Sequence, residues 1–272
     1  MNKNITVIST NLTNGFGAQL IHSMQEESFN TDVDLVIYAS RSAQGKGGYE
    51  YLYEKICSEK KTDAVIIIAY PLIQKYYDMF RDAGIIPVTI DNCLPGISGV
   101  KSDHRAGANK AVNHLLDTGR KRIGIIHGFL RQGNSQEERL EGAKEAFKAR
   151  NLDFDQGLLW NVKEYTYRYG AEAFKFMIMN DVEAVFCAAG DHVAQGFIAE
   201  ARRYGVNIPR QIALVGYDDI EMSKEMDLTT IKQDLKLMGK HAFELAIKAV
   251  SGLQKEPEHI ILPVELVVRE SA

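Results

Sequence analysis

Short runs of apolar, β-branched residues alternate along the whole chain with longer stretches whose apolar positions recur at helical spacing. The runs at 5–9, 35–39, 64–69, 87–90, 122–126, 157–162, 184–188, 212–215 and 260–262 read as strands. Most are apolar at successive positions rather than at every second one, which is the pattern of strands covered on both faces. Between them, 106–118 sets Ala111, Val112, Leu115 and Leu116 on one face and stops at Gly119, with Arg120, Lys121 and Arg122 behind it. Glycine after the last turn with cations nearby ends a helix. The stretches 193–204 and 78–83 stop the same way, at Gly205 before Pro209 and at Gly84 before Pro87. A further helix is expected over 135–150, and the glycine-rich piece 44–48 reads as a surface loop. The alternation predicts an α/β fold with parallel sheets flanked by helices, and it runs through both halves, as two similar lobes would require.

The residues just beyond each strand carry the candidate chemistry, because ligands of open α/β sheets bind outside the carboxyl ends of the strands. The first strand runs into Asn14 and Phe16, and the fourth into Asp91 and Asn92. His127 follows 122–126, Gly190 and Asp191 follow 184–188, and Tyr217, Asp218 and Asp219 follow 212–215. Carboxylates and amides bind vicinal hydroxyls, an arginine fork grips two oxygens, and an aromatic face covers the apolar side of a ring. Each residue also has a plainer reading. Asp191 would cap the helix that follows it, and Asp219 would shape a turn. His127 would be a satisfied, half-buried histidine, and Phe16 a core residue. Arg139 would lie on an exposed helix face, in surface ion pairs with Glu137, Glu138 and Glu141. Only the joint pattern favours a binding site.

Composition narrows the function classes. The chain has 272 residues, 45% of them hydrophobic and 25% charged, enough for one large domain or two lobes. A net charge of -4 without a basic stripe argues against nucleic-acid binding by this chain itself and against an anionic membrane surface. Cys57, Cys93 and Cys187 are odd in number and widely spaced, as in reduced cytoplasmic proteins. The opening residues lack the apolar region of a secretory signal, and no run approaches the roughly 18 apolar residues of a membrane span. Catalytic fingerprints are incomplete. Gly15-Phe16-Gly17 lacks a third glycine, Ser40 stands where a phosphate-binding loop needs its first, and Gly96-Ile97-Ser98-Gly99 is not a nucleophile elbow. The seven histidines show no metal-ligand spacing. No enzyme activity, cofactor or metal is expected.

The stretch 214–219, Leu-Val-Gly-Tyr-Asp-Asp, with 228–233, Leu-Thr-Thr-Ile-Lys-Gln, resembles the lactose-repressor (LacI/GalR) family of bacterial transcription regulators. Further likenesses follow in order along the chain. They are Asn14-Gly15-Phe16, the segment from Asp103 through Gly107 to His114, Gly119 and Ile123, Arg139-x-x-Gly142, Asp191-x-x-Ala194-x-Gly196, and a closing strand from Leu262. The resemblance implies a type I periplasmic-binding-protein-like fold, with two Rossmann-like lobes, three crossovers and an effector cleft between the lobes. The lobes would be 1–102 plus 233–262 and 103–232 plus 263–272. Asn14, Phe16, Asp91, Arg139, Asp191, Asp218 and Gln233 match cleft-lining positions. Tyr165 matches a stacking aromatic, with Tyr167 and Tyr169 as close alternatives. Gly15 and Gly17 replace a usual proline and aromatic, and Gly190 replaces a usual Asn or Ser, so one ligand-binding arm is missing. The first strand opens too early for a helix-turn-helix headpiece. The chain is therefore expected to be the effector-binding and dimerisation part, a cytoplasmic homodimer that takes a sugar-like effector, reaches operator DNA only through a headpiece outside it, and has no membrane partner. A solute-binding protein of a transport or sensing system shares the fold and is the alternative, distinguished by a leader peptide.

Overall fold

The computed structural model describes residues 3–9, 15–39, 48–131 and 133–272. Asn14 and the greater part of the 44–48 loop lie outside the described residues. The chain divides into two units, Met1–Ser102 with Asp234–Leu262, and Asp103–Gln233 with Pro263–Ala272.

The first unit contains β1 (Lys3–Ser9), α1 (Gly15–Ser28), β2 (Val33–Ala39), α2 (Tyr49–Glu59), β3 (Ala64–Ile68), α3 (Gln74–Asp82), β4 (Ile86–Ile90) and β5 (Ser98–Ser102). Labels follow chain order, so the elements it receives after the second unit are α9 (Leu235–Val250) and β11 (His259–Leu262). Its sheet runs β2-β1-β3-β4-β5-β11, with every pair parallel. β3, Ala-Val-Ile-Ile-Ile, is buried at every residue because both faces are covered. Leu20, Met24, Met238, Phe243 and Ala246 cover one face, and Tyr53, Ile56, Tyr76 and Phe80 the other.

The second unit contains α4 (His104–Asp117), β6 (Ile123–His127), α5 (Ser135–Ala149), β7 (Leu159–Asn161), α6 (Tyr167–Met179), β8 (Ala184–Cys187), α7 (Asp191–Arg203), β9 (Ala213–Asp218), α8 (Glu221–Glu225), β10 (Thr229–Gln233) and β12 (Val264–Val267). Its sheet runs β7-β6-β8-β9-β10-β12 and is parallel except for β12 against β10. One face packs on Val112, Leu115, Ala143 and Phe147, the other on Phe174, Met177, Val193 and Phe197. Both sheets share one strand order, in which the first strand lies between the second and the third. The chain reverses direction across the sheet there, and a crevice opens at the carboxyl ends of those strands. In the second unit that place is the β6–β8 edge.

The helix stops expected from sequence are present, with Gly84, Gly119 and Gly205 each at positive φ. α4 starts at His104, earlier than the apolar periodicity indicates, because its first turn is polar and capped, whereas α5 starts at Ser135 as expected. Asp103 accepts the Ala106 N–H at 3.0 Å, and Asn134 accepts the Glu137 N–H at 2.9 Å. β5 gave no hydrophobic signal, being Ser-Gly-Val-Lys-Ser. It forms because β4 and β11 pair with it on both sides. Gln233 closes β10 of the second sheet, so it belongs to the second unit and not, as the sequence suggested, to the first. No described helix is long and apolar enough to cross a membrane.

Candidate functional site

The carboxyl ends of β6, β8, β9 and β10 gather a polar cluster inside the second unit. β9 delivers Asp218, which is 9% exposed and sits at φ 119, followed by Asp219 at φ 54. Two successive non-glycine residues at positive φ cost on the order of 1–3 kcal/mol each and persist only where neighbours hold them. Gln233, beside Asp218 at the end of β10, donates its Nε2–H to Asp218 Oδ1 at 2.7 Å. Its own Oε1 is buried with no hydrogen-bond partner among the described residues.

Arg139 comes from the first turns of α5 and is 3% exposed, which corrects the sequence reading of a surface arginine. Its Nη1 donates to the Ala188 carbonyl at 2.7 Å, and its Nη2 lies 3.9 Å from Asp218 Oδ1. Its guanidinium stands 3.6 Å from the centre of the Tyr217 ring. His104, fully buried at the start of α4, places Nδ1 3.3 Å from both Arg139 Nε and the Tyr217 hydroxyl. The periodic run Gln136, Arg139, Leu140 and Ala143, all buried, was the sequence signal for this inward face. Gln136 turns inward with Arg139, accepting the Gly128 N–H at 2.7 Å and donating to the Ala188 carbonyl at 3.2 Å.

Asp191 also departs from the capping reading. Gly190, at φ 108, occupies the N-cap position of α7, and the Asp191 carboxylate caps nothing. It is fully buried, and accepts the Asp219 N–H at 2.8 Å, the Ser223 hydroxyl at 2.6 Å and the Thr230 hydroxyl at 2.8 Å. Desolvation raises its pKa from 3.8 to about 7, against the lowering effect of those donors. All three donors come from its own unit. Asp219 shapes the turn, with Oδ1 2.6 Å from Arg269 Nη2. A Cβ at position 190 would lie 2.6 Å from Asp218 Oδ2, so the glycine leaves the room that Asp218 fills.

His127 is buried, with Nδ1 2.8 Å from the Gly128 carbonyl, and burial lowers its pKa. Tyr165 is 40% exposed and packs its ring over Gly128, where a Cβ would collide with it. Phe129, two residues past the end of β6, is 59% exposed and was not singled out from sequence, although an aromatic just past a strand end was the sign used for Phe16. In the first unit, Asp91 follows β4 at φ 72 and is buried, while Phe16 is half-buried against the core that faces α1 and α9.

A two-unit α/β domain of one repeated strand order, with buried ionic groups at its strand ends, is a ligand-binding architecture. Residues 112–272 match the family described as periplasmic binding protein-like domain. The regulator CelR of Thermobifida fusca is 32% identical over 84% of this chain and 69% of that protein. The HTH-type transcriptional repressor PurR of Photobacterium profundum is 25% identical over 99% of this chain and 81% of that protein. Among solved structures, a CelR–cellobiose complex matches with a TM-score of 0.88 at 27% identity, covering 100% of this chain and 85% of that one. CcpA of Lactococcus lactis matches with a TM-score of 0.90 at 20% identity, covering both chains completely. The chain belongs to the periplasmic-binding-protein-like family, in the LacI group of transcriptional regulators.

Proposed function

We propose that this chain is the effector-binding part of a LacI-type regulator and that its effector is a small polyhydroxylated molecule of the sugar class. The observation that carries the reading is the Arg139–Asp218–Gln233 cluster at the strand ends of the second unit. A carboxylate flanked by a guanidinium and an amide accepts and donates to neighbouring hydroxyls at once. Tyr165, exposed and anchored on Gly128, supplies an aromatic face for the ring. The CelR–cellobiose complex, a structure of the same fold, holds a sugar. In the family pattern the first unit adds Asn14, Phe16 and Asp91. A ligand that touches residues of both units favours whichever arrangement it contacts best, and in a homodimer it thereby alters operator affinity.

Calorimetry with cellobiose, followed by other mono- and disaccharides and by nucleobases, tests this on a sample whose mass is fixed by light scattering. Asp218→Asn keeps the shape of the side chain and removes the charge. It should weaken sugar binding at least tenfold while the melting temperature stays within a few degrees of wild type. Unchanged affinity in that variant would remove Asp218 from the site. Binding of a nucleobase in place of every sugar would overturn the effector class, and a monomer at micromolar concentration would overturn the dimer.

A further inference from the structure

We propose that Asp191 is a positioning residue: from the first turn of α7 it holds the Asp218–Asp219 turn in its left-handed form, and so sets where Asp218 presents its carboxylate, without meeting ligand itself. The proposal rests on reading Asp218 as the ligand-binding carboxylate.

Asp191 reaches the strand end from the α7 side of the sheet. Tyr217 faces the core shared with α4 and α5, whereas Leu214 faces the core shared with α6 and α7. Gly216 lies on the Leu214 side, and a methyl group there would collide with Asp191 Oδ1, so the glycine opens the space under β9 that this carboxylate occupies. From that space Oδ2 reaches the Asp219 N–H, the backbone donor immediately after Asp218. The Ser223 hydroxyl from α8 and the Thr230 hydroxyl from β10 fix the same carboxylate from two other elements. A second anchor holds the turn by its side chain. Asp219 Oδ1 takes Arg269 Nη2, and Arg269 Nη1 donates to the Leu228 carbonyl at 2.6 Å. The turn is thus pinned through its backbone by Asp191 and through its side chain by Arg269. Aspartate enters the left-handed region more readily than most non-glycine residues, but φ 119 at Asp218 lies well outside the usual well at about +57, and two such residues in succession need anchors.

The titratable groups that face Asp191 are the Cys187 thiol from β8 and the Asp218 carboxylate from β9. Burial and both carboxylates push that thiol up, so it stays neutral. Among the described residues no cation forms an ion pair with Asp191. The charge on Asp191 is supported by these three donors and by the Tyr217 backbone, and its ionisation is the variable that tightens or loosens the Asp219 N–H.

The test follows the Asp219 amide by proton–nitrogen spectroscopy from pH 5 to 8.5, with no ligand present, alongside cellobiose calorimetry. In the wild type the Asp219 amide proton should titrate. In Asp191→Asn the titration should vanish, the Asp218 side-chain carboxyl carbon should shift, and cellobiose affinity should fall at least tenfold with folding retained. Should Asp191→Asn fail to fold, Ser223→Ala removes one donor and should move the midpoint of the Asp219 titration upward. An Asp219 amide that ignores pH, or that titrates unchanged in the Asp191→Asn chain, overturns the proposal. So does a shifted amide with unchanged cellobiose affinity. If the wild type binds no sugar, the effector reading fails, and the Asp219 and Asp218 resonances alone decide whether Asp191 holds the turn.

Discussion

At the scale of single residues, the second unit separates two carboxylates that look alike in the sequence. Asp218 and Asp191 each follow a strand in the sequence reading, yet one is tied to a guanidinium and an amide and the other to two hydroxyls and backbone groups. Sequence could mark both as site residues but not tell them apart, because the difference lies in partners from α5, α8 and β10 that are remote along the chain. The plainer, surface reading of Arg139 fails for the same reason: its nearest sequence neighbours are glutamates, and its partners are Ala188, Tyr217 and Asp218. The burial of Asp191 has a consequence for stability. An acid whose pKa is higher in the folded chain binds its proton more tightly there. Its contribution is therefore fully present below about pH 4 and is lost as pH rises through about 7. The wild type should gain melting temperature over Asp191→Asn at pH 5 and lose part of that advantage at pH 8. A difference between the two proteins that stays constant across this range would rule out a buried carboxylate of raised pKa.

At the scale of elements, helix ends and buried strands were legible because glycine stops and unbroken apolar runs are local signals. β5 was not, since its polar residues become strand only through neighbours that arrive early and late in the chain. The motif glycines gain a reason that sequence alone does not supply. A Cβ on Gly142 would collide with the Arg105 carbonyl of α4, and one on Gly196 with the Tyr167 carbonyl of α6. α5 therefore crosses α4 at backbone distance, and that close crossing carries Arg139, three residues before Gly142, down to the strand ends. Gly142→Ala would push the two helices apart, and overpacking of this kind costs about 1–3 kcal/mol. Chemical denaturation should show a loss in that range. Because Arg139 rides on the same face, affinity for the effector should fall as well, more than the same substitution at the exposed Lys148 would cause. A Gly142→Ala chain of wild-type stability would contradict the close crossing.

At the scale of the whole chain, neither unit is a continuous segment. The first receives α9 and β11 only after β10 of the second, and the second closes with β12 after that. Sequence periodicity showed two similar halves, and the family resemblance, not periodicity, supplied the three passages between them. The late elements are not trimmings. α9 contributes Leu235, Met238, Ala242, Phe243 and Ala246 to the core that also holds Leu20, Ile66 and Val88. Removing it would bare the face of β1, β3 and β4 that those residues cover, at about 25 cal/mol for each Å² of apolar surface returned to water. The loss of buried Leu235, Met238 and Phe243, at roughly 1.5–3 kcal/mol each, is of the same order as the 5–15 kcal/mol that holds a domain together. A fragment of residues 1–102 should therefore show no cooperative melt and should bind an apolar dye. Joining residues 234–262 to it through a short flexible linker should restore a single cooperative transition. If 1–102 alone melted cooperatively, the first unit would not need the returning chain, and the interlaced core described for it would be wrong.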